Sequence, residues 1–133
     1  MTLDWKKVYS SSQLSVASIV AGLLREQDIQ ANVLNKIDSS YVFLGEVEVY
    51  VPANDYEKAI NFNLKVLKKA KEGTSEYGKR AYNVAYNYVQ VGEFRKGLEY
   101  YNMALKSYKE SIGEDHKDYG KLLNNIGKLY YDI

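Results

Sequence analysis

Glu46 and Glu48 stand two residues apart in the run Gly45-Glu46-Val47-Glu48-Val49-Tyr50-Val51. Alternate side chains of an extended strand share a face, so the two carboxylates would lie side by side and could divide general-acid and general-base work. The same alternation also describes charges facing solvent, which requires no chemistry. His116 is the only histidine. It sits between Asp115 and Lys117, in a turn ahead of a helix, and reads as part of a helix start. Ser10-Ser11-Ser12 has no base beside it and reads as helix capping. The chain has no cysteine, which excludes disulfides, thiolate metal sites and cysteine nucleophiles. Neither a P-loop, nor a GxGxxG turn, nor a metal-ligand cluster occurs. The expectation is a protein without catalytic residues, metal or cofactor, and so not an enzyme.

Composition points the same way. The 133 residues are 26% charged and 46% hydrophobic, the balance of a folded domain, or of two small ones. Residues 1–56 carry four Lys/Arg against seven Asp/Glu, a net −3, and residues 57–133 carry fourteen against ten, a net +4. That offset is too small to argue for nucleic acid. No apolar run is long enough to span a membrane, and the first residues lack the apolar segment of a signal peptide. A cytoplasmic location is the default expectation. Tyrosine is abundant at 14 copies, ten of them from Tyr77 to Tyr131. Its large ring and polar tip suit thin helical layers with few fully buried sites.

The elements that would position these residues fall into two halves. In the first, residues 5–10 read as a strand, and Ser11 or Ser12 as a helix cap. Val16, Ile19, Val20, Leu23 and Leu24 recur at three- and four-residue steps along a helix over 13–28, with Ala17 and Gly22 allowing close packing. Residues 31–37 form a second strand, and Asp38-Ser39-Ser40 a turn. In the third strand Val47, Val49 and Val51 alternate with Glu46, Glu48 and Tyr50, predicting one buried and one wet face. Pro52 stops the strand. Asn54 and Glu57 form a capping-box pattern for the next helix. A right-handed first crossover would put the third strand between the first and second. The unit is a three-stranded, ferredoxin-like βαββα arrangement whose first strand offers an exposed edge.

The second half is helical: residues 55–72, then about 75–91 capped by Thr74 or Ser75 and ended by Gly92, then 93–112, then 116–133 after Gly113-Glu114-Asp115. Their apolar stripes include Ala81, Val84, Ala85 and Tyr88, then Leu98, Tyr101, Ala104, Leu105 and Tyr108, then Leu122, Leu123, Ile126, Leu129 and Tyr130.

Two resemblances emerge. Trp5-Lys6-Lys7-Val8-Tyr9-Ser10, Gly22-Leu23-Leu24-Arg25-Glu26, Val33-Leu34-Asn35-Lys36, Asp38-Ser39-Ser40-Tyr41 and Gly45-Glu46-Val47-Glu48-Val49-Tyr50-Val51-Pro52 together resemble a small bacterial family of signal-transducing proteins. That resemblance implies a PII-like α+β fold over about residues 3–62 and brings no catalytic residue. Ala81, Val84, Ala85, Tyr88, Gly97, Tyr101 and Ala104 occupy positions similar to the tetratricopeptide signature, and Leu123, Ile126, Gly127 and Tyr130 repeat its first part. Val84 and Ile126 are 42 residues apart, and Gly113-Glu114-Asp115-His116 with Asn124-Asn125-Ile126 resembles the long-repeat, kinesin-light-chain-like subclass. Lys117 replaces a proline common there.

The layout read from the sequence is thus a signal-transducing-type domain over 1–62 and a tetratricopeptide-like array over 55–133, sharing the helix 55–72. About three repeats are usually needed to bury a continuous core, and this array is shorter. It stops at Tyr130-Tyr131-Asp132-Ile133 with an apolar face uncovered, which predicts self-association through Ile126 and Tyr130. A splice on one shared helix with an abrupt stop fits a truncated or engineered fusion as well as a natural one. By the tetratricopeptide pattern, the inner surface would present Tyr82, Tyr86, Val89, Gln90, Asn124, Lys128 and Tyr131 to a peptide. Tyr82 and Tyr86 replace residues that such arrays use to hold a terminal carboxylate, which turns the expectation away from that ligand. The function expected is protein–protein interaction, as a self-associating scaffold. A monomeric peptide-binding adaptor and a small-molecule sensor are the alternatives.

Overall fold

The computed structural model describes residues 4–35 and 47–132. The predicted turn at Asp38-Ser39-Ser40, the end of the second strand, and Glu46 lie outside them. The fold is α+β. Its elements are β1 (Trp5–Ser11), α1 (Leu14–Glu26), β2 (Asn32–Asn35), β3 (Val47–Pro52), a 3-10 turn (Ala53–Asp55), α2 (Tyr56–Lys68), α3 (Ser75–Gln90), α4 (Phe94–Ser111) and α5 (Lys117–Asp132). Two compact units are present, residues 1–62 and residues 63–133, divided within α2.

In the first unit the sheet order is β1-β3-β2, with both neighbours antiparallel to β3. The strand placed centrally by the crossover rule is indeed central. Lys7 pairs with Tyr50 and Tyr9 with Val49, so Val8 is an extra residue, a β-bulge. As a result Val8 and Tyr9, consecutive in sequence, are both buried. The Tyr56 hydroxyl donates to the Lys7 carbonyl at 2.9 Å, and the Ala53 N–H to the Asp4 carbonyl at 2.7 Å.

α1 packs on all three strands, by a face that coincides only in part with the one expected. Ala17, Val20, Ala21 and Leu24 are buried, whereas Ile19 is 63% exposed and Leu23 39%. The helix is apolar around more than half its girth, so periodicity alone does not choose between faces. Ala17 and Ala21 allow the closer approach, Val20 and Leu24 stay inside, and Ile19 and Leu23 are turned out. The helix ends with Asp28 in the left-handed region (φ 61°). The Ile29 N–H donates to Leu24 O and the Asp28 N–H to Arg25 O, the hydrogen-bond pair of a Schellman ending. The Arg25 guanidinium then donates twice to the Ala31 carbonyl, at 3.2 and 2.7 Å, closing the connection to β2.

Asn54 is not a helix cap. It lies inside the 3-10 turn that follows Pro52, and α2 begins at Tyr56.

In the second unit Thr74 caps α3, its hydroxyl accepting from the Tyr77 N–H at 3.1 Å. Gly92 (φ 81°) and Gly113 (φ 83°) turn the chain after α3 and α4, where a Cβ would be strained. The core holds Leu67, Tyr77, Ala81, Val84, Ala85, Tyr101, Ala104, Tyr108, Leu122, Ile126 and Leu129. Buried among them is an amide pair, Asn63 donating to Asn87 at 2.7 Å. Arg80 reaches the Val66 carbonyl at 2.7 Å, so the C-terminal part of α2 and α3 are tied by polar as well as apolar contacts.

Candidate functional site

Glu48 does not face solvent. On the central strand it is only 6% exposed, which corrects the expectation of a wet face opposite the valines. The Lys7 ammonium, diagonal to it on β1, donates at 3.1 Å to one carboxylate oxygen. The Tyr50 hydroxyl, two residues on along β3, donates at 2.9 Å to the other. A buried carboxylate is tolerated when its oxygens are occupied in this way. The arrangement holds charge in place. Lys7 and Tyr50 were not singled out from the sequence. Lys7 falls diagonally across from Glu48 only because of the β-bulge at Val8, which strand alternation alone does not reveal.

The predicted peptide-facing residues separate into different environments. Tyr82 is half-buried and lies between helices. Its ring meets Tyr101 at 5.7 Å, its hydroxyl accepts from the Asn125 amide at 2.6 Å, and the Lys121 ammonium stands 6.0 Å from the ring centre. Tyr86 is half-buried on the same helix, and Gln90, Asn124, Lys128 and Tyr131 are exposed. Val89 packs on α4: a Cβ placed on Gly97 would come within 2.6 Å of its side chain. The structure therefore brings together Tyr82, Asn125 and Lys121, of which the sequence reading named only Tyr82. Asn125 could have been found as the counterpart of Asn83, 42 residues earlier.

The two residues expected to mediate self-association also separate. Ile126 is buried in the core, whereas Tyr130 is 60% exposed. α5 buries Leu122, Ile126 and Leu129 and leaves Leu123, Tyr130 and Tyr131 outside.

Residues 5–61 match a family model described as "Putative prokaryotic signal transducing protein". The matched stretch coincides closely with the first unit and contains Lys7, Glu48 and Tyr50. Its description assigns no reaction and no ligand. No curated protein and no solved structure gives a significant match to the chain.

A groove of about 380 Å³ lies in the second unit, lined by Glu72, Gly73, Tyr77, Met103, Lys106, Ser107 and Glu110. Ser107 is buried and accepts from the Gly73 N–H at 3.2 Å. Burial, then the charge of Glu72, raises the Tyr77 phenol above its ordinary pKa, so at neutral pH it is a neutral hydroxyl. His116 uses Nδ1 to accept from the Asp118 N–H at 3.1 Å, a structural contact at the start of α5. Among the described residues no group of three or more His, Asp or Glu side chains is placed to hold a metal ion. None of the described helices is long and apolar enough to cross a membrane.

Proposed function

We propose that the protein is a non-enzymatic protein–protein interaction module, in which a signal-transducing-type domain over 1–62 continues through a shared helix into a tetratricopeptide-like array over 55–133. It acts as a self-associating scaffold, natural or engineered, in the cytoplasm, with protein rather than nucleic acid or membrane as partner. The observation that carries this reading is the outer surface of α5, where Leu123, Tyr130 and Tyr131 are 45%, 60% and 91% exposed beside a fully packed inner surface. Large aromatic side chains on one side of a helix are the groups that dominate protein interfaces. Light scattering over a wide range of concentration tests it. The expected result is a mass that rises with concentration and that Tyr130→Asp returns to that of a monomer. A monomeric mass throughout would overturn self-association. Because Ile126 belongs to the core, Ile126→Asp would report on folding and not on the interface.

The second reading is a monomeric adaptor that binds a peptide along Tyr82 and Tyr86. It is supported by the ring of Tyr82 being held in place by Asn125 and Lys121, since a pre-positioned aromatic side chain loses little entropy on binding. Tyr86→Ala should then weaken peptide binding with unchanged helical circular dichroism. A sensor role for the first unit is a third reading, supported by the family description alone, and predicts stabilisation by a small molecule.

A further inference from the structure

Three charged side chains of the second unit line one groove without engaging one another. Glu72 comes from the connection between α2 and α3, and Lys106 and Glu110 from α4. Among the described residues none of the three side chains makes an ion pair or a hydrogen bond. The Glu110 carboxylate lies against Gly73, where a Cβ would come within 2.7 Å of one of its oxygens, so a residue without a side chain gives it room.

Tyr77 and Ser107 line the same groove and are buried, at 6% and 3% exposure. Ser107 is occupied as the acceptor of the Gly73 N–H, which fixes the connection carrying Glu72 against α4. The Tyr77 hydroxyl has no hydrogen-bond partner among the described residues. Every fully buried side-chain nitrogen or oxygen among those residues has one, so the Tyr77 oxygen is not sealed: it is the polar tip of a buried ring, opening into the groove. A sequestered hydroxyl without a partner costs free energy, which a ligand supplying the bond would recover. Burial, then the charge of Glu72, raises this phenol, so that carboxylate acts on the same spot.

The groove, about 380 Å³, is the size of a small-molecule site. Two carboxylates against one ammonium give its lining a net −1, which disfavours an anion and is balanced by one monocation. Two carboxylates and a phenol oxygen match the three N–H donors of a primary ammonium, and Met103 with the Tyr77 ring offers apolar surface for a carbon stem. We propose that this groove binds a primary alkylammonium, its head shared by Glu72, Glu110 and the Tyr77 oxygen and its stem along Met103. The site is separate from the α5 surface and stands or falls without the scaffold reading.

The probe is n-pentylammonium, titrated into the isotope-labelled full chain and followed by amide NMR shifts, with n-pentanol as the uncharged control. Saturable shifts centred on Gly73, Tyr77 and Ser107 are expected for the ammonium only. Glu72→Gln and Glu110→Gln, both at exposed positions, should each weaken binding by roughly threefold or more with unchanged circular dichroism, and together abolish it. Tyr77→Phe, which keeps the ring, should weaken it as well. No saturable shift, an equal response to pentanol, or binding unchanged in the double variant would overturn the proposal. Nα-acetyl-lysine methylamide presents the same head group on a protein side chain. If it binds as tightly as pentylammonium, the site takes a partner's lysine; if it is excluded while pentylammonium binds, the site takes a free amine. Both results uphold the ammonium site and differ only in its source.

Discussion

The Asn63 side-chain amide donates to the Asn87 carbonyl oxygen at 2.7 Å, and the two residues are 4% and 0% exposed. A polar pair buried this deeply contributes little net stability while intact, but leaves an expensive orphan when one member is removed. Asn87→Leu should therefore destabilise the protein by about 1–3 kcal/mol. The double change Asn63→Leu with Asn87→Leu should recover part of that loss. Thermal melts of the three variants check it; a double mutant no better than the sum of the singles would show that the pair does not act as a unit.

The ion pair of Lys7 with Glu48 should behave differently from that of Lys109 with Glu114. In the first the carboxylate side chain is 8% exposed; in the second both side chains are more than half exposed. Lys7→Met should cost about 1–3 kcal/mol, because it strips a charged hydrogen bond from a buried acceptor. Lys109→Met should cost less than about 1 kcal/mol. Urea denaturation of each variant measures both, and equal effects would count against the burial argument.

Glycine-to-alanine changes should have opposite signs on α3 and on α5. At Gly78 the new methyl would meet the Tyr108 ring at 2.5 Å, and overpacking of this kind costs about 1–3 kcal/mol. At Gly127 it would enter open space and improve helix propensity, stabilising the free chain by about 0.5–1 kcal/mol. A Gly127→Ala variant that melts below the native protein would place something against that glycine already.

Alkaline pH should destabilise the second unit. Burial, followed by nearby acidic charge, raises the phenols of Tyr77 and Tyr88, and burial, followed by Tyr88, raises that of Tyr100. A raised folded pKa means that the folded state holds its phenol protons more tightly than the unfolded chain. The stability they contribute is complete below the unfolded value of about 10 and is lost as pH rises through the folded values. Melting temperature should hold level up to about pH 10 and then fall. Tyr88→Phe with Tyr100→Phe should flatten the fall; an unchanged slope would assign it to other groups.

Much of the scaffold was legible because local signals agreed with one another. The valine alternation of β3, the crossover that makes it central, the Thr74 cap, and Gly92 and Gly113 each has a mechanism that operates within a few residues. What was not legible depended on neighbours from elsewhere in the chain. Glu48 alternates with valines as a solvent-facing residue would, and its partner Lys7, forty-one residues away, comes into reach only in the folded sheet. α1 offered two adjoining apolar faces, and the sheet selected the one with alanines. Ile126 and Tyr130 lie four residues apart, near enough to share a stripe in the sequence, yet the position of α4 puts one in the core and the other outside. Tyr82 could be assigned to a surface, but its clamp of Asn125 and Lys121 required α5 to be in place.

The bulge at Val8 reaches further than its own pocket. Lys7 and Ser10 are three residues apart, an odd step that in a regular strand would send them to opposite sides of the sheet. Here they pair with Tyr50 and Glu48 respectively, two residues of one side. Val8 thus works as a parity switch: the single extra residue inverts the in-and-out sequence of everything before it, so the ammonium of Lys7 joins the carboxylate when it would otherwise be driven among the valines. Deleting Val8 would leave Lys7 directly before Tyr9, still opposite Tyr50 in a regular ladder, so the side on which Lys7 stands would be kept while the bulge itself disappeared.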